Sequence, residues 1–236
     1  MRKAVFLFDY TGIMAKPWAD AGYLCFCFDG QHSLGVSKSD HENILNVGLW
    51  FNNNATGDFQ QNDIDKVKSI TGDDVSFVFG FPECTDLAVS GAAHFAKKRD
   101  ANPFFQDEAM TLVYLTKNLG ESYGCPWGLE NPVSVISSKW CKPDFKFNPF
   151  EYGGYLPEDD IHPTYPEYIK PRDAYPKKTC IWAGNGFVMP DIKHVDCDKG
   201  YSDQHKKLGG KSLKTKNIRS ATPRGFAKAV FEFNGV

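Results

Sequence analysis

Five short, largely apolar runs set the rhythm of the chain: residues 3–8, 23–28, 75–80, 127–130 and 179–182. Their side chains do not alternate cleanly between apolar and polar, which is the pattern of strands buried on both faces of a sheet. Between the runs the period changes to three and four. Phe104, Phe105, Ala109, Leu112, Val113 and Thr116 predict a helix over 103–119 that Gly120 ends. Shorter helices are expected over 13–21, with Pro17 near the first turn, and over 223–233, with Pro223 at its start. Residues 62–67 fit either the close of a strand or the start of a helix.

The opening order is strand, glycine-containing turn, helix, then a strand ending in the acid Asp29. That is how a doubly wound nucleotide-type fold begins. The expected architecture is α/β, a single domain over residues 1–236 on a doubly wound, mostly parallel sheet. Ligands of such sheets sit beyond the carboxyl ends of the strands, where Asp9, Gly12 and Asp29 fall. Three stretches break the rhythm. Residues 31–60 are polar and poorly periodic, an insertion or long loop; 148–177 are rich in proline and tyrosine, an irregular excursion; 191–217 are basic and contain glycine, a loop segment. No internal repeat or low-complexity tract is present.

Composition narrows the class. Hydrophobic residues make up 42% and charged residues 24%, values that exclude wholesale disorder. The net charge of −2 hides an asymmetry: residues 199–228 hold nine Lys/Arg and the single acid Asp203. The remainder therefore carries 18 basic residues against 28 acidic ones. A basic segment on an acidic body suits either a phosphate-binding surface or a solvated loop. The seven cysteines are scattered, with Cys25-Phe-Cys27 on an expected strand and no Cys-x-x-Cys. The six histidines show no zinc-like spacing, so no metal site is expected. A reducing compartment accounts for the thiols, and neither a signal core nor a membrane-length run is present, so the expectation is cytoplasmic.

The chemistry centres on two loops. Phe81-Pro-Glu-Cys84 follows the buried run 75–80, and Glu130-Asn131-Pro132 follows the run 127–130. A cysteine and a carboxylate at the ends of neighbouring strands suit covalent attack on a heterocycle, with the thiolate adding and the carboxyl holding or protonating the ring. A buried structural cysteine and a surface acid are the bland alternatives.

The order of these motifs resembles the C5-cytosine DNA methyltransferases, especially the short, divergent members found in bacteriophages. The resemblance rests on Asp63-Ile-Asp-Lys-Val67, on Asp74 through Cys84, on Thr85-Asp-Leu-Ala-Val-Ser-Gly-Ala92 and on Glu130 through Ser137. Lys178-Thr-Cys-Ile-Trp182 and Arg219-Ser-Ala-Thr-Pro223 extend it. It implies a Rossmann-like methyltransferase fold with S-adenosylmethionine as cofactor and a flipped cytosine of double-stranded DNA as substrate. Cys84 is then the nucleophile at cytosine C6, Glu130 the partner of N3, and Asn131 the residue that fixes the loop. Asp9, Thr11, Gly12, Asp29, Asp63 and Pro82 surround the cofactor, with Asp58 an alternative to Asp63. Lys178, Lys211, Lys214, Arg219 and Arg224 contact phosphates, and the stretches 148–177 and 191–217 stand in for a target-recognition region. Phage kinship further implies action in a host cytoplasm and evasion of restriction.

The sequence departs from the family at Met14, where a second glycine is usual, and at Glu83, where a proline is usual. The family's Gln-x-Arg-x-Arg is absent, with Lys177-Lys178 as a substitute. Two other readings remain open at this point: methylation of a free nucleotide or another base position, and a catalytically impaired cofactor- or DNA-binding protein.

Overall fold

The computed structural model describes residues 1–54, 59–197, 200, 202–209 and 212–235. Among these, eight strands form one sheet: β1 Lys3–Leu7, β2 Leu24–Phe28, β3 Gly35–Lys38, β4 Ile44–Gly48, β5 Val75–Gly80, β6 Trp127–Pro132, β7 Phe145–Phe147 and β8 Thr179–Gly184. The helices are α1 Lys16–Asp20, α2 Phe59–Thr71, α3 Phe95–Ala101, α4 Phe105–Tyr123, α5 Ile136–Lys139, α6 Asp203–Lys207, α7 Leu213–Ser220 and α8 Arg224–Asn234. In space the strands run β3-β4-β2-β1-β5-β6-β8-β7.

The five central strands, β4 through β6, pair in parallel. From β1 the chain moves outward through β2 to β4, then returns to start β5 on the other side of β1. The direction of winding reverses between β1 and β5, which is where a doubly wound sheet opens its binding crevice. The expected doubly wound, mostly parallel, Rossmann-like sheet is therefore present. Two strands run against it: β3 on one edge, and β8 between β6 and β7.

The alternation within β1 shows why both faces are apolar. Ala4 and Phe6 enter one core layer with Trp18, Phe77, Phe79 and Phe226, under α1 and α8. Val5 and Leu7 enter the other with Val67, Val78, Val113 and Leu129, under α2 and α4. Successive strand side chains point to opposite faces, so a strand covered on both sides must be apolar throughout. Trp18 anchors the first layer, stacked on Phe77 with ring centroids 4.2 Å apart.

Several boundaries differ from the sequence reading. Residues 31–60, expected as an insertion or loop, contain β3 and β4, and β4 pairs with β2 as a member of the parallel core. Ile44-Leu-Asn-Val-Gly48 is too short and too polar to stand out by periodicity. Residues 62–67 are helical, inside α2. The basic stretch 191–217 carries α6 and part of α7. Residues 148–177 hold only short 3₁₀ turns, at Pro149–Tyr155 and Pro171–Asp173.

Gly120 does not end α4. The helix continues to Tyr123 and stops at Gly124, which has φ of +66°. A Cβ on Gly120 would stand 2.4 Å from Cβ of Trp127, so this glycine lets α4 lie directly on β6. Gly120→Ala is expected to destabilise the fold by about 1–3 kcal/mol through overpacking, read as a lowered denaturation midpoint.

Candidate active site

Three loops at the carboxyl edge begin while still held in the ladder. Asp9 N donates to Phe28 O at 3.3 Å, Asp29 N to Val47 O at 3.1 Å, and Phe81 N to Leu7 O at 3.0 Å. Backbone pairing thus fixes where the turns after β1, β2 and β5 start, on both sides of the β1/β5 crevice.

At the turn after β1, Asp9 is buried. Its Oδ1 accepts Thr11 Oγ1 at 3.0 Å and Gly12 N at 2.9 Å. Its Oδ2 is also buried and has no partner within the chain. Burial pushes the carboxyl up to about 6 despite the Thr11 and Gly12 hydrogen bonds. Gly12 has φ of +66°, and Phe8, just before Asp9, has φ of +59°. A bulky residue held in the left-handed region stores strain, and such strain clusters where a ligand is held. An orphaned carboxylate oxygen at this turn suits a ligand ammonium or N–H group. Met14 lies fully buried in the core layer under α1 and α8.

Asp9 gives a pH-dependent test. Its folded-state pKa lies above that of an unfolded aspartate, so ionising it opposes folding. Stability is greatest below about pH 4 for this group and is lost as pH rises through about 6. Whatever constant offset the amide brings, the stability of Asp9→Asn relative to wild type is expected to improve by up to about 3 kcal/mol between pH 4 and pH 7. Urea melts at the two pH values read the difference.

Asp29 closes β2, and its Oδ1 accepts Gln31 N at 2.8 Å. Burial raises its pKa, and the Gln31 N–H lowers it in part. Tyr10 stacks on His32 with centroids 5.2 Å apart, joining the turns after β1 and β2. Neither aromatic carried a sequence signal, because a contact between two loops has no period.

Asp63 lies on α2. It is buried, with Oδ2 accepting Asn52 N at 2.7 Å and Oδ1 accepting Lys66 Nζ at 2.9 Å. The Asn52 bond ties α2 to the segment after β4, and the Lys66 bond stays within α2. Asp58 lies outside the described residues.

Across the crevice, Asn131 is buried and donates Nδ2 to Pro82 O at 2.9 Å. This bond ties the end of β6 to the loop after β5, so Cys84 and Glu130 are held by one connection. Cys84 is half-buried. Burial raises its thiol pKa, Glu130 and Glu83 raise it further, and Lys177 lowers it. Glu130 Oε1 is buried without a partner, and burial raises that carboxyl, with Lys177 again opposing. The result is a half-buried thiol beside a carboxyl group whose pKa burial raises. Glu83 itself turns outward: its Oε1 accepts Thr85 Oγ1 at 2.6 Å and lies 3.6 Å from Lys216 Nζ.

Tyr175 and Gln204 add buried polar atoms nearby. Gln204 lies against the Tyr175 hydroxyl, and burial, with the charges of Asp173 and Glu130, pushes that hydroxyl's pKa up. They come from the proline-rich stretch and the basic stretch, where sequence gave no reason to prefer them.

The expected phosphate contacts separate. Lys178 and Lys214 are exposed, on the approach to β8 and on α7. Arg219 donates Nη2 to Leu208 O at 2.6 Å. Arg224 pairs within the fold: its Nη1 and Nη2 bind Asp160 Oδ1 and Oδ2 at 2.8 and 2.5 Å, and both side chains are largely buried. The pair joins α8 to the proline-rich stretch, while Arg224 Nε is buried without a partner and the side chain lines the cavity beside the first turn. Lys211 lies outside the described residues.

A cavity of about 1000 Å³ opens on the α1–α8 side of the first turn, bounded by Thr11, Gly12, Lys16, His162 and Lys228; its lining includes neither Cys84 nor Glu130. A second, of about 620 Å³, is bounded by Asn52, Asp63 and Lys66. Among the described residues no cluster of His, Cys, Asp and Glu is arranged to hold a metal, and no helix is long and apolar enough to cross a membrane.

No family model and no curated protein matches the chain. Among solved structures it is similar to a proposed DNA modification methyltransferase encoded within a prophage (E. coli), at 12% identity and a TM-score of 0.39. The match covers 78% of this chain and 46% of that one, so the chain spans less than half of that protein's length.

Proposed function

We propose that the chain is an S-adenosylmethionine-dependent DNA methyltransferase acting at C5 of cytosine. The observation that carries this reading is the Cys84–Glu130 pair at the ends of neighbouring parallel strands, joined by the Asn131–Pro82 hydrogen bond.

The turn Asp9-Tyr-Thr-Gly12 fits the amino-acid end of the cofactor, with Asp9 Oδ2 free to accept from its ammonium group. Asp29 fits the ribose hydroxyls, and Pro82 borders the same crevice. When bound there, S-adenosylmethionine supplies an electrophilic methyl group. Cys84 Sγ adds to C6 of a cytosine drawn out of the stack, and the electrons of the C5=C6 bond move toward C5. Glu130, whose burial favours the protonated carboxyl, donates a proton or hydrogen bond to N3 and so draws electrons into the ring. Asn131 holds the two groups in register. With the methyl group on C5, the C5 proton passes to solvent water, the C5=C6 bond re-forms as Sγ departs as thiolate, and N3 returns its proton to Glu130. Lys178, Lys214 and Arg219, with Lys211, are proposed as the phosphate contacts that bring duplex DNA to this edge.

The test is transfer of labelled methyl groups to unmodified duplex DNA and to free cytidine nucleotides, followed by digestion to nucleosides. Label in 5-methyldeoxycytidine from the duplex supports the reading. Label only in the free nucleotide moves the substrate to that level, and no label despite cofactor binding favours an impaired binding protein.

A further inference from the structure

We propose that Lys177 is the positioning cation of the candidate active site, fixed by a carbonyl at the end of α7 at the loop that leaves β6, where its charge favours an anion at Cys84 that Glu130 and Glu83 oppose. The proposal deepens the reading of Cys84 as a nucleophile and rests on it.

The placement comes from the sheet. Pro132 pairs with Thr179 where β6 ends and the antiparallel β8 begins. Lys177, two residues before that pairing, therefore enters at the loop that leaves β6. Its Nζ donates to Arg219 O at 3.0 Å. Arg219 sits in the last turn of α7, whose carbonyls lack helical partners and carry the negative end of the dipole. The ammonium is thus held by an acceptor that neither titrates nor neutralises its charge.

The surroundings explain why a cation is needed. Cys84 is half-buried, which by itself disfavours a thiolate. Glu130 faces it from β6, and Glu83 precedes it on the same loop; both repel a second negative charge. Lys177 is the cation whose field opposes burial at both Cys84 and Glu130. α7 also restrains Glu83, since Lys216 lies 3.6 Å from the oxygen that Thr85 binds. The helix meets the site through two lysines of opposite provenance, one reaching from the loop to its carbonyl and one from the helix to a loop carboxylate. Glu83, the charge least suited to the position before a nucleophile, is thereby offset where it stands. Lys178, next in sequence, points to solvent and serves as the internal control.

The experiment needs neither DNA nor cofactor. Alkylation of Cys84 by iodoacetamide in the full chain is followed against pH by peptide mass spectrometry, which separates it from the exposed Cys141. Lys177→Gln keeps a donor for Arg219 O and removes the charge. Its alkylation midpoint is expected to rise by about one pH unit. Lys177→Arg should restore the wild-type midpoint, and Lys178→Gln should leave it unchanged. An unmoved midpoint in Lys177→Gln, with the melting temperature retained, overturns the proposal. So does a shift of equal size in Lys178→Gln, which would make the effect one of general surface charge. A chain that methylates no DNA but shows the Lys177-specific shift defeats the reaction proposed above and still supports the role of this cation.

Discussion

Cys84→Ser is expected to lower single-turnover methyl transfer to DNA by a factor on the order of 10⁴ or more, with the melting temperature and cofactor affinity unchanged. The substitution is nearly isosteric at a half-buried position, so the fold has little to lose. The chemistry loses its nucleophile. A hydroxyl ionises far less readily than a thiol, and the charges around residue 84 that already resist a thiolate resist an alkoxide more strongly. Neither Glu130 nor Glu83 relieves this, because both oppose an anion at residue 84 and Glu83 is turned toward Thr85 and Lys216. A fall in rate accompanied by a fall in melting temperature would assign Cys84 a structural role.

The second large effect concerns stability. Arg224→Met is expected to cost about 3–5 kcal/mol, because it strands the Asp160 carboxylate in a largely buried site. For a chain of this size that is a fall in melting temperature of about 10 °C. Asp160 Oδ2 also accepts Arg172 N at 2.8 Å, so the pair ties the start of α8 to the proline-rich stretch. Burial pushes Asp160 up, but the hydrogen bonds and charge of Arg224, with the Arg172 N–H, outweigh it and leave the carboxyl below its ordinary range. The group's contribution is therefore complete at neutral pH and lost as pH falls through that lowered value. Lys214→Gln should do the reverse: no change in melting temperature, and a salt dependence of DNA binding shallower by about one unit of slope. Loss of DNA affinity in Arg224→Met without loss of stability would return Arg224 to the DNA surface.

What the sequence revealed follows from the range of each interaction. β1, β2, β5, β6 and β8 were legible because strands covered on both faces must be apolar along their length. β4 was hidden because five residues with Asn46 in the middle make no pattern, although the sheet depends on them. Gly120 was read as a helix stop because only the packed structure brings Trp127 against it. The Cys84 and Glu130-Asn131 pairing was visible because one motif follows β5 and the other ends β6, although the sequence put Glu130-Asn131-Pro132 on a loop and the structure keeps them in the ladder with β8. The role of Asp63 was not, since its hydrogen-bond partner Asn52 comes from the other side of the chain's least periodic stretch. The same holds for Arg224 and Lys177, whose partners Asp160 and Arg219 are distant in sequence. Charge alone marked all the basic residues of 199–228 as equal, and geometry divides them into fold and surface.

The central claim is that Cys84 bonds to a cytosine ring in DNA. The most direct measurement uses duplex DNA made with 5-fluorodeoxycytidine throughout, incubated with the chain and S-adenosylmethionine. Fluorine at C5 cannot leave as a proton does, so the adduct stalls before Sγ departs. A denaturation-resistant complex whose mass equals one chain plus methylated DNA, with the link at Cys84 and no complex from Cys84→Ser, is the predicted result. Methyl transfer to ordinary DNA without any such complex, or a link at a different residue, would contradict it.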